Sequence, residues 1–481
     1  MNRAGAMQRR WLFHCLLISF CAIYIVYYPA TYSILDECNT LQLSYSLSQG
    51  TIFPDHAGPG AGLWIDGHRV SKFSIVHTAM MAPAWKLNWR LSFLLAAAFF
   101  VLGAFVIRAW LERERLNGDW SALYFFLAGT LYYTQTVMAA VPSAVTGLFG
   151  LSLLMRESPR AMLAGFMLGA SVLLHPWMMP FVAVASAVWL LERSSVDMAQ
   201  NLRRLLAGAL LPILMMGIYN FETTGSPFRN VYTMLGHQRS FTGLHFTSYF
   251  MFYVASLAIF PLAGWAVFSP RLAGGWALPI ASATALILAA LYYYRDGLNI
   301  SSAQVGSVKA LLAGAIPGQR FIIPISMVAC IPAARLLDSF SVSAPDWIAN
   351  WARPFALAGF VSGFALLSAA HQSYLRAHAA VQAALCQTVP ANAPVTVSDE
   401  LLKEMGPDCK VYERVVGGTD GQTPAANAYV AWLGTPGERP PARWIEKREA
   451  KTFQLRSWIW NRDLWIARPL GAAAFASGDS G

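Results

Sequence analysis

Ser33-Ile34-Leu35-Asp36-Glu37-Cys38-Asn39-Thr40 places two adjacent carboxylates just after the first long apolar segment of the chain, where a membrane helix leaves the bilayer. Charge so close to hydrocarbon is costly, and an ionisable residue at that depth points to a functional site. The competing reading is ordinary solvation of a helix end, with Asp36 and Glu37 facing water. The rest of the chain has to decide between them.

Outward from this stretch, the composition is that of a membrane protein. The 481 residues are 56% hydrophobic and only 12% charged, with a mean hydropathy of +0.44, which excludes one or two soluble domains. A formal charge of +10 would suit nucleic acid, but the basic residues form short clusters between apolar runs, as cytoplasmic anchors do. Arginine outnumbers lysine 28 to 7 and alanine is abundant, which suggests a GC-rich bacterial genome. Six cysteines show no metal-ligand spacing; Cys386 with Cys409 is the expected extracytoplasmic disulfide.

Arg3, Arg9 and Arg10 precede the apolar run 11–28, which exceeds a signal-peptide core of roughly 7 to 15 residues and lacks a small-residue cleavage site, so it reads as a retained anchor. Its tail is then cytoplasmic and Asp36 lies outside. A long outside loop, 31–86, follows. Within it 40–49 fits either a period of two or a helix, and is read as an interfacial helix ended by Gly50. Turn residues 54–62, the Asp66-Gly67-His68-Arg69 stretch and a second apolar-faced segment, 73–85, complete the loop.

Further spans are expected near 88–107, 120–138, 142–155, 161–175, 177–191, 205–219, 249–268, 274–294, 321–337 and 354–369, about eleven helices with the first. Alternating the loops puts Arg108, Arg113, Arg115, Arg156, Arg160, Arg193, Arg203, Arg204, Arg271, Arg335 and Arg353 on the cytoplasmic side, while opposing loops near Ala140 and Pro176 hold no Lys or Arg. The expected fold is thus an α-helical polytopic membrane domain over 1–370, followed by a small extracytoplasmic α/β domain over 371–481 with strand-like runs at 395–397, 410–416 and 429–433.

The outside loops gather Asp36, Glu37, Asp55, His56, Asp66, His68 and Lys72, then Asn220, Glu222, Arg229 and Arg239, then Arg295, Asp296, Lys309 and Arg320. Cations suit a phosphate and a carboxylate suits a hydroxyl acceptor, so the set fits an anionic, lipid-linked substrate.

The acid pair, the long first loop and the Asp66-Gly67 to Lys72 stretch together resemble the GT-C class of polyprenyl-phosphate-sugar glycosyltransferases. Tyr219-Asn220-Phe221 to Gly225-Ser226-Pro227-Phe228 and Gly318-Gln319-Arg320-Phe321-Ile322-Ile323-Pro324 are similar to turns in bacterial relatives of protein mannosyltransferases and lipid A aminoarabinose transferases. The resemblance covers roughly 10–370. It implies an inverting transfer in a bacterial inner membrane, with no cofactor. A carboxylate at Asp36, supported by Glu37, deprotonates an acceptor hydroxyl, and Lys72 and Arg320 hold the donor phosphate. Family members often follow that lysine with proline, whereas this chain has Phe73-Ser74.

Asp66, His68, His175 and Asn220 are candidates for the donor or acceptor pocket, each with a plainer alternative. Asp55, His56, Asp66 and His68 either bind a divalent cation or are solvated. His175 either lines the pocket or caps a helix, and Asn220 either meets substrate or turns the chain. Two other functions compete. A transporter or flippase for an anionic head group would need ionisable residues inside several spans, and these spans hold almost none. A non-catalytic partner in envelope glycan assembly would keep the fold without the chemistry.

Overall fold

The computed structural model describes residues 11–29, 31–32, 35–54, 62–192, 198–234, 276–291, 319–341, 346–390, 393–398, 401, 415–417, 427–446, 448–456 and 461–470. The chain divides into two compact units. One comprises 1–28, 74–83 and 91–368; the other comprises 29–73, 84–90 and 369–481.

The first unit is helical. Trp11–Val26 buries Leu12, Phe13, Leu16, Phe20 and Tyr24, one stripe at helical spacing, and exposes Ile18, Ile25 and Val26. Phe20 stacks on Phe364 at 5.3 Å, and Tyr24 Oη donates to the Phe93 carbonyl at 2.7 Å. Among the described residues four helices are long and apolar enough to cross a membrane, Trp89–Arg113, Met198–Thr224, Ile323–Phe340 and Trp351–Thr388, and five apolar helices are shorter. The helix Ile323–Ser341 is almost wholly buried as far as Ala334. Its polar end is tied by Arg335 to Glu114, which also accepts from the Trp110 indole at 2.8 Å.

Not every expected span is a helix of that kind. Residues 120–138 are a 3-10 stretch, Gly118–Phe126, followed by the seven-residue helix Ala128–Thr134. Asn117 Oδ1 accepts from the Asp119 amide and Ser121 Oγ donates to the Gly118 carbonyl, which holds the tighter winding. Thr134 and Thr136 donate to carbonyls three residues back and end the short helix. The count of about eleven spans therefore does not carry over helix for helix, and the expected span 249–268 lies outside the described residues.

Ala161–Leu174 and Met198–Thr224 pack backbone to backbone. A Cβ on Gly165 would stand 1.9 Å from the Leu205 carbonyl oxygen, and one on Gly208 would stand 1.9 Å from that of Met162. Small residues permit this approach where lipid supplies no hydrophobic drive for association.

The second unit holds Leu35–Ser48, a β-hairpin and a five-stranded sheet. The hairpin pairs β1 (Gly62–Ile65) with β2 (His68–Ser71). The sheet comprises β3 (Val395–Val397), β4 (Val415–Gly417), β5 (Tyr429–Gly434), β6 (Arg448–Arg456) and β7 (Asn461–Pro469), in the order β4-β3-β5-β7-β6. β3 runs parallel to β4 and β5, and β7 is antiparallel to β5 and β6. The central strands β3 and β5 are buried throughout, whereas the edge strand β6 carries Arg448, Glu449, Lys451 and Arg456, charges that blunt an open edge. Val381, Ala384 and Leu385 share one core with Val395, Val397, Leu433, Leu464 and Ile466. They belong to the 43-residue helix Asp346–Thr388. Cys386 is disulfide-bonded, and Cys409, its expected partner, lies outside the described residues.

The acid pair also moves relative to its expected setting. The first apolar helix ends at Val26, and Asp36 and Glu37 open the next helix, which starts at Leu35 rather than at 40. Carboxylates in a first turn face the positive end of the helix dipole and orphan amides, so the pair starts this helix instead of closing the previous one.

Candidate active site

The site is built from the Leu35–Ser48 helix and the hairpin of the same unit. Asp66-Gly67 links β1 to β2 with Ile65 paired to His68, and both turn residues take positive φ, 48° and 80°. A two-residue loop of this kind matches the twist of the strands it joins. The hairpin returns the chain through buried Val70 and Ser71 to Lys72, whose Nζ lies 3.2 Å from Asp36 Oδ1. Their side chains are 12% and 26% exposed, shielded yet open to an entering group. Ser71 Oγ accepts from the Phe73 amide at 3.1 Å, fixing the turn after Lys72. Phe73 lays its ring 5.2 Å from the Lys72 ammonium, and a ring face attracts such a cation.

Glu37 is fully buried, so it does not face water as the plainer reading had it. Cys38, Asn39, Thr40, Leu41, Gln42, Leu43 and Ser44 are buried after it. Thr40 Oγ1 donates to the Asp36 carbonyl at 2.7 Å, and Ser44 Oγ accepts from the Trp85 indole at 3.2 Å.

Asp66 and His68 are exposed at the hairpin turn, and the His68 ring stacks on Phe53 at 4.5 Å. Asp55 and His56 lie outside the described residues. Among the described residues no three His, Cys, Asp or Glu side chains are grouped to hold a metal ion.

The remaining candidates belong to the helical unit. His175 Nδ1 accepts from the Trp177 amide at 3.3 Å, capping the 3-10 turn Pro176–Met178. The Trp177 ring meets Phe321 edge-on at 5.4 Å, and the Arg320 guanidinium lies 4.7 Å from the same Phe321 ring, so His175 and Arg320 share one neighbourhood. Asn220 Nδ2 donates to the Pro227 carbonyl at 3.2 Å and pins the Gly225-Ser226-Pro227 turn, where Gly225 has φ +71°.

His77, not singled out from the sequence, is the buried imidazole of this region. It lies on Ile75–Met81, a helix capped by Ser74, whose Oγ donates to the Leu173 carbonyl at 2.6 Å. Its Nε2 stands 2.8 Å from the Val137 carbonyl, which can only accept, so Nε2 carries the proton. Burial lowers its pKa to about 4, leaving the ring neutral near pH 7. A lone histidine in an apolar-faced segment gives no sequence signal of this.

No protein-family model matches the chain, and no curated protein matches it in sequence. In structure it is similar to the crystal structure of ArnT from Cupriavidus metallidurans bound to undecaprenyl phosphate, over 96% of this chain and 99% of that one, at 12% identity and a TM-score of 0.51. At this identity the likeness is one of fold, and it supports the GT-C fold that the acid pair and the first loop resembled.

Proposed function

We propose that the protein is a membrane glycosyltransferase that moves a sugar from a polyprenyl-phosphate donor to a hydroxyl acceptor on the extracytoplasmic face of a bacterial inner membrane. One observation carries the reading: Asp36 and Lys72, chosen from the sequence as base and phosphate ligand, form a 3.2 Å ion pair in a fold shared with a protein solved with undecaprenyl phosphate. The resting pair is neutral overall. An arriving donor phosphate competes with Asp36 for the Lys72 ammonium, and Asp36 is freed as the donor docks. The carboxylate then takes the proton of the acceptor hydroxyl while its oxygen attacks the anomeric carbon. The bond from that carbon to the phosphate oxygen breaks, the configuration inverts, and polyprenyl phosphate departs with its charge held by Lys72. Positioning and electrostatic stabilisation of the leaving phosphate do most of the work, so the reaction as proposed uses no cofactor.

Arg320 is proposed as a second cation on the phosphate and Glu37 as support for Asp36. His175, Asp66 and His68 are proposed at the substrate pocket; Asn220 acts on it only through the turn it pins. To test the reading, purified protein is incubated with a panel of radiolabelled undecaprenyl-phosphate sugars, and transfer or hydrolysis is followed. The wild type turns over at least one donor, and Asp36→Asn falls by about 10³-fold while eluting normally. Full turnover by Asp36→Asn, or none by the wild type on any donor, defeats the proposal.

A further inference from the structure

Four residues before Asp36, Tyr32 is fully buried, and its hydroxyl accepts a 2.6 Å hydrogen bond from Gln382 Nε2. One turn earlier on the same helix His378, also fully buried, sets its ring edge-on to Tyr32 at 5.3 Å and 79°. The adjoining face of that helix carries Val381, Ala384 and Leu385 into the core of the C-terminal sheet. All of these residues belong to the unit that holds Asp36 and Lys72.

A phenylalanine would bury the same ring with no hydroxyl to satisfy. A buried polar contact adds little to stability, but it fixes one arrangement among several that an apolar surface would tolerate. The chain from Tyr32 to Asp36 can span no more than about 14 Å. A shift at Tyr32 therefore reaches the first turn of the Asp36 helix, and a misplacement of about 1 Å at a reacting group can cost about 10²-fold in rate.

We propose that Tyr32, Gln382 and His378 are positioning residues for the Asp36 base, so that the C-terminal helix and sheet form a working part of the active site. This rests on the reading of Asp36 as the base. In the test, Tyr32→Phe and Gln382→Met are compared with the wild type, and with Asp36→Asn, on the undecaprenyl-phosphate sugar that the wild type consumes. Each should lower kcat about tenfold, leave the donor KM within about twofold, and melt within a few degrees of the wild type. Hydrogen exchange over 36–44, which needs no substrate, should quicken about tenfold in both variants. Wild-type kcat in both, or unchanged exchange, overturns the proposal, as does a lowered melting temperature with kcat intact. If Asp36→Asn turns over normally, the base reading falls, and exchange alone decides whether the clamp orders this turn.

Discussion

Two helices invert the rule that soluble proteins follow, and the inversion separates site from solvent. Leu35–Ser48 is rich in polar residues, yet Glu37, Asn39, Thr40, Gln42, Ser44 and Ser46 are all buried. Met198–Thr224 is rich in Leu, Ile and Met, yet Leu206, Leu210, Leu211, Ile213, Leu214 and Ile218 are each more than half exposed. Lipid accounts for the second: hydrocarbon receives an apolar face at no cost, and the helix packs inward along Leu205, Gly208 and Pro212, with Asn220 and Thr223 buried near its end. Lipid cannot account for the first, because each buried polar group without a partner costs about 1–3 kcal/mol. Gln42 Oε1 has no hydrogen-bond partner among the described residues. A helix that keeps such groups inside is shaped by what it must present, and its first turn presents Asp36 to Lys72.

The largest expected effect lies where the lipid-facing helix is held. Gly165→Leu drives a side chain into the Leu205 backbone, which cannot yield as a side chain would, and should cost more than about 3 kcal/mol, read as loss of the monodisperse fraction and a lowered unfolding midpoint. Gly363, where an added methyl would meet nothing within 4 Å, is the control, and Gly363→Ala should stay within about 0.5 kcal/mol.

Next comes pH. His77 titrates at about 4 when folded and at 6.5 ordinarily, so the unfolded chain takes up the proton first. The contribution is complete above pH 6.5 and is lost as pH falls towards 4, about 3 kcal/mol in all. Unfolding at pH 7 and pH 4 should show that difference in the wild type relative to His77→Gln; equal slopes would refute it.

Single-residue truncations on the two helices differ by less. Ser44→Ala removes one oxygen and strands the Trp85 indole, costing about 1 kcal/mol, whereas Leu211→Ala removes three carbons from the lipid face and should cost under about 0.5 kcal/mol. Equal costs in unfolding measurements would break the contrast.

The sequence carried the class of the protein, because membrane spans follow from composition and order, and it singled out Asp36 and Lys72, which the structure sets 3.2 Å apart. It did not carry what depends on a partner in space. Residues 120–138 are as apolar as a spanning helix, and only the side-chain bonds of Asn117, Ser121, Thr134 and Thr136 show that the winding tightens and stops. Asp66-Gly67 stood out as a motif, but the short strands beside it hid the hairpin that delivers Lys72. β6 is mostly polar and the apolar run of β7, Leu464 to Ala467, is short and flanked by charges, so neither reads as a strand as plainly as β3 and β5 do. Tyr32 and Gln382 are 350 positions apart, a separation across which no spacing argument reaches.

In the proposed reaction the donor phosphate displaces Asp36 from Lys72, and binding of undecaprenyl phosphate itself reports on that exchange. Compared with the wild type in one detergent, Lys72→Met should bind about tenfold more weakly, having lost its phosphate cation, and Asp36→Asn should bind at least as tightly, because nothing then competes for Lys72. Wild-type affinity in Lys72→Met, or weakened binding in Asp36→Asn, would rule out such an exchange.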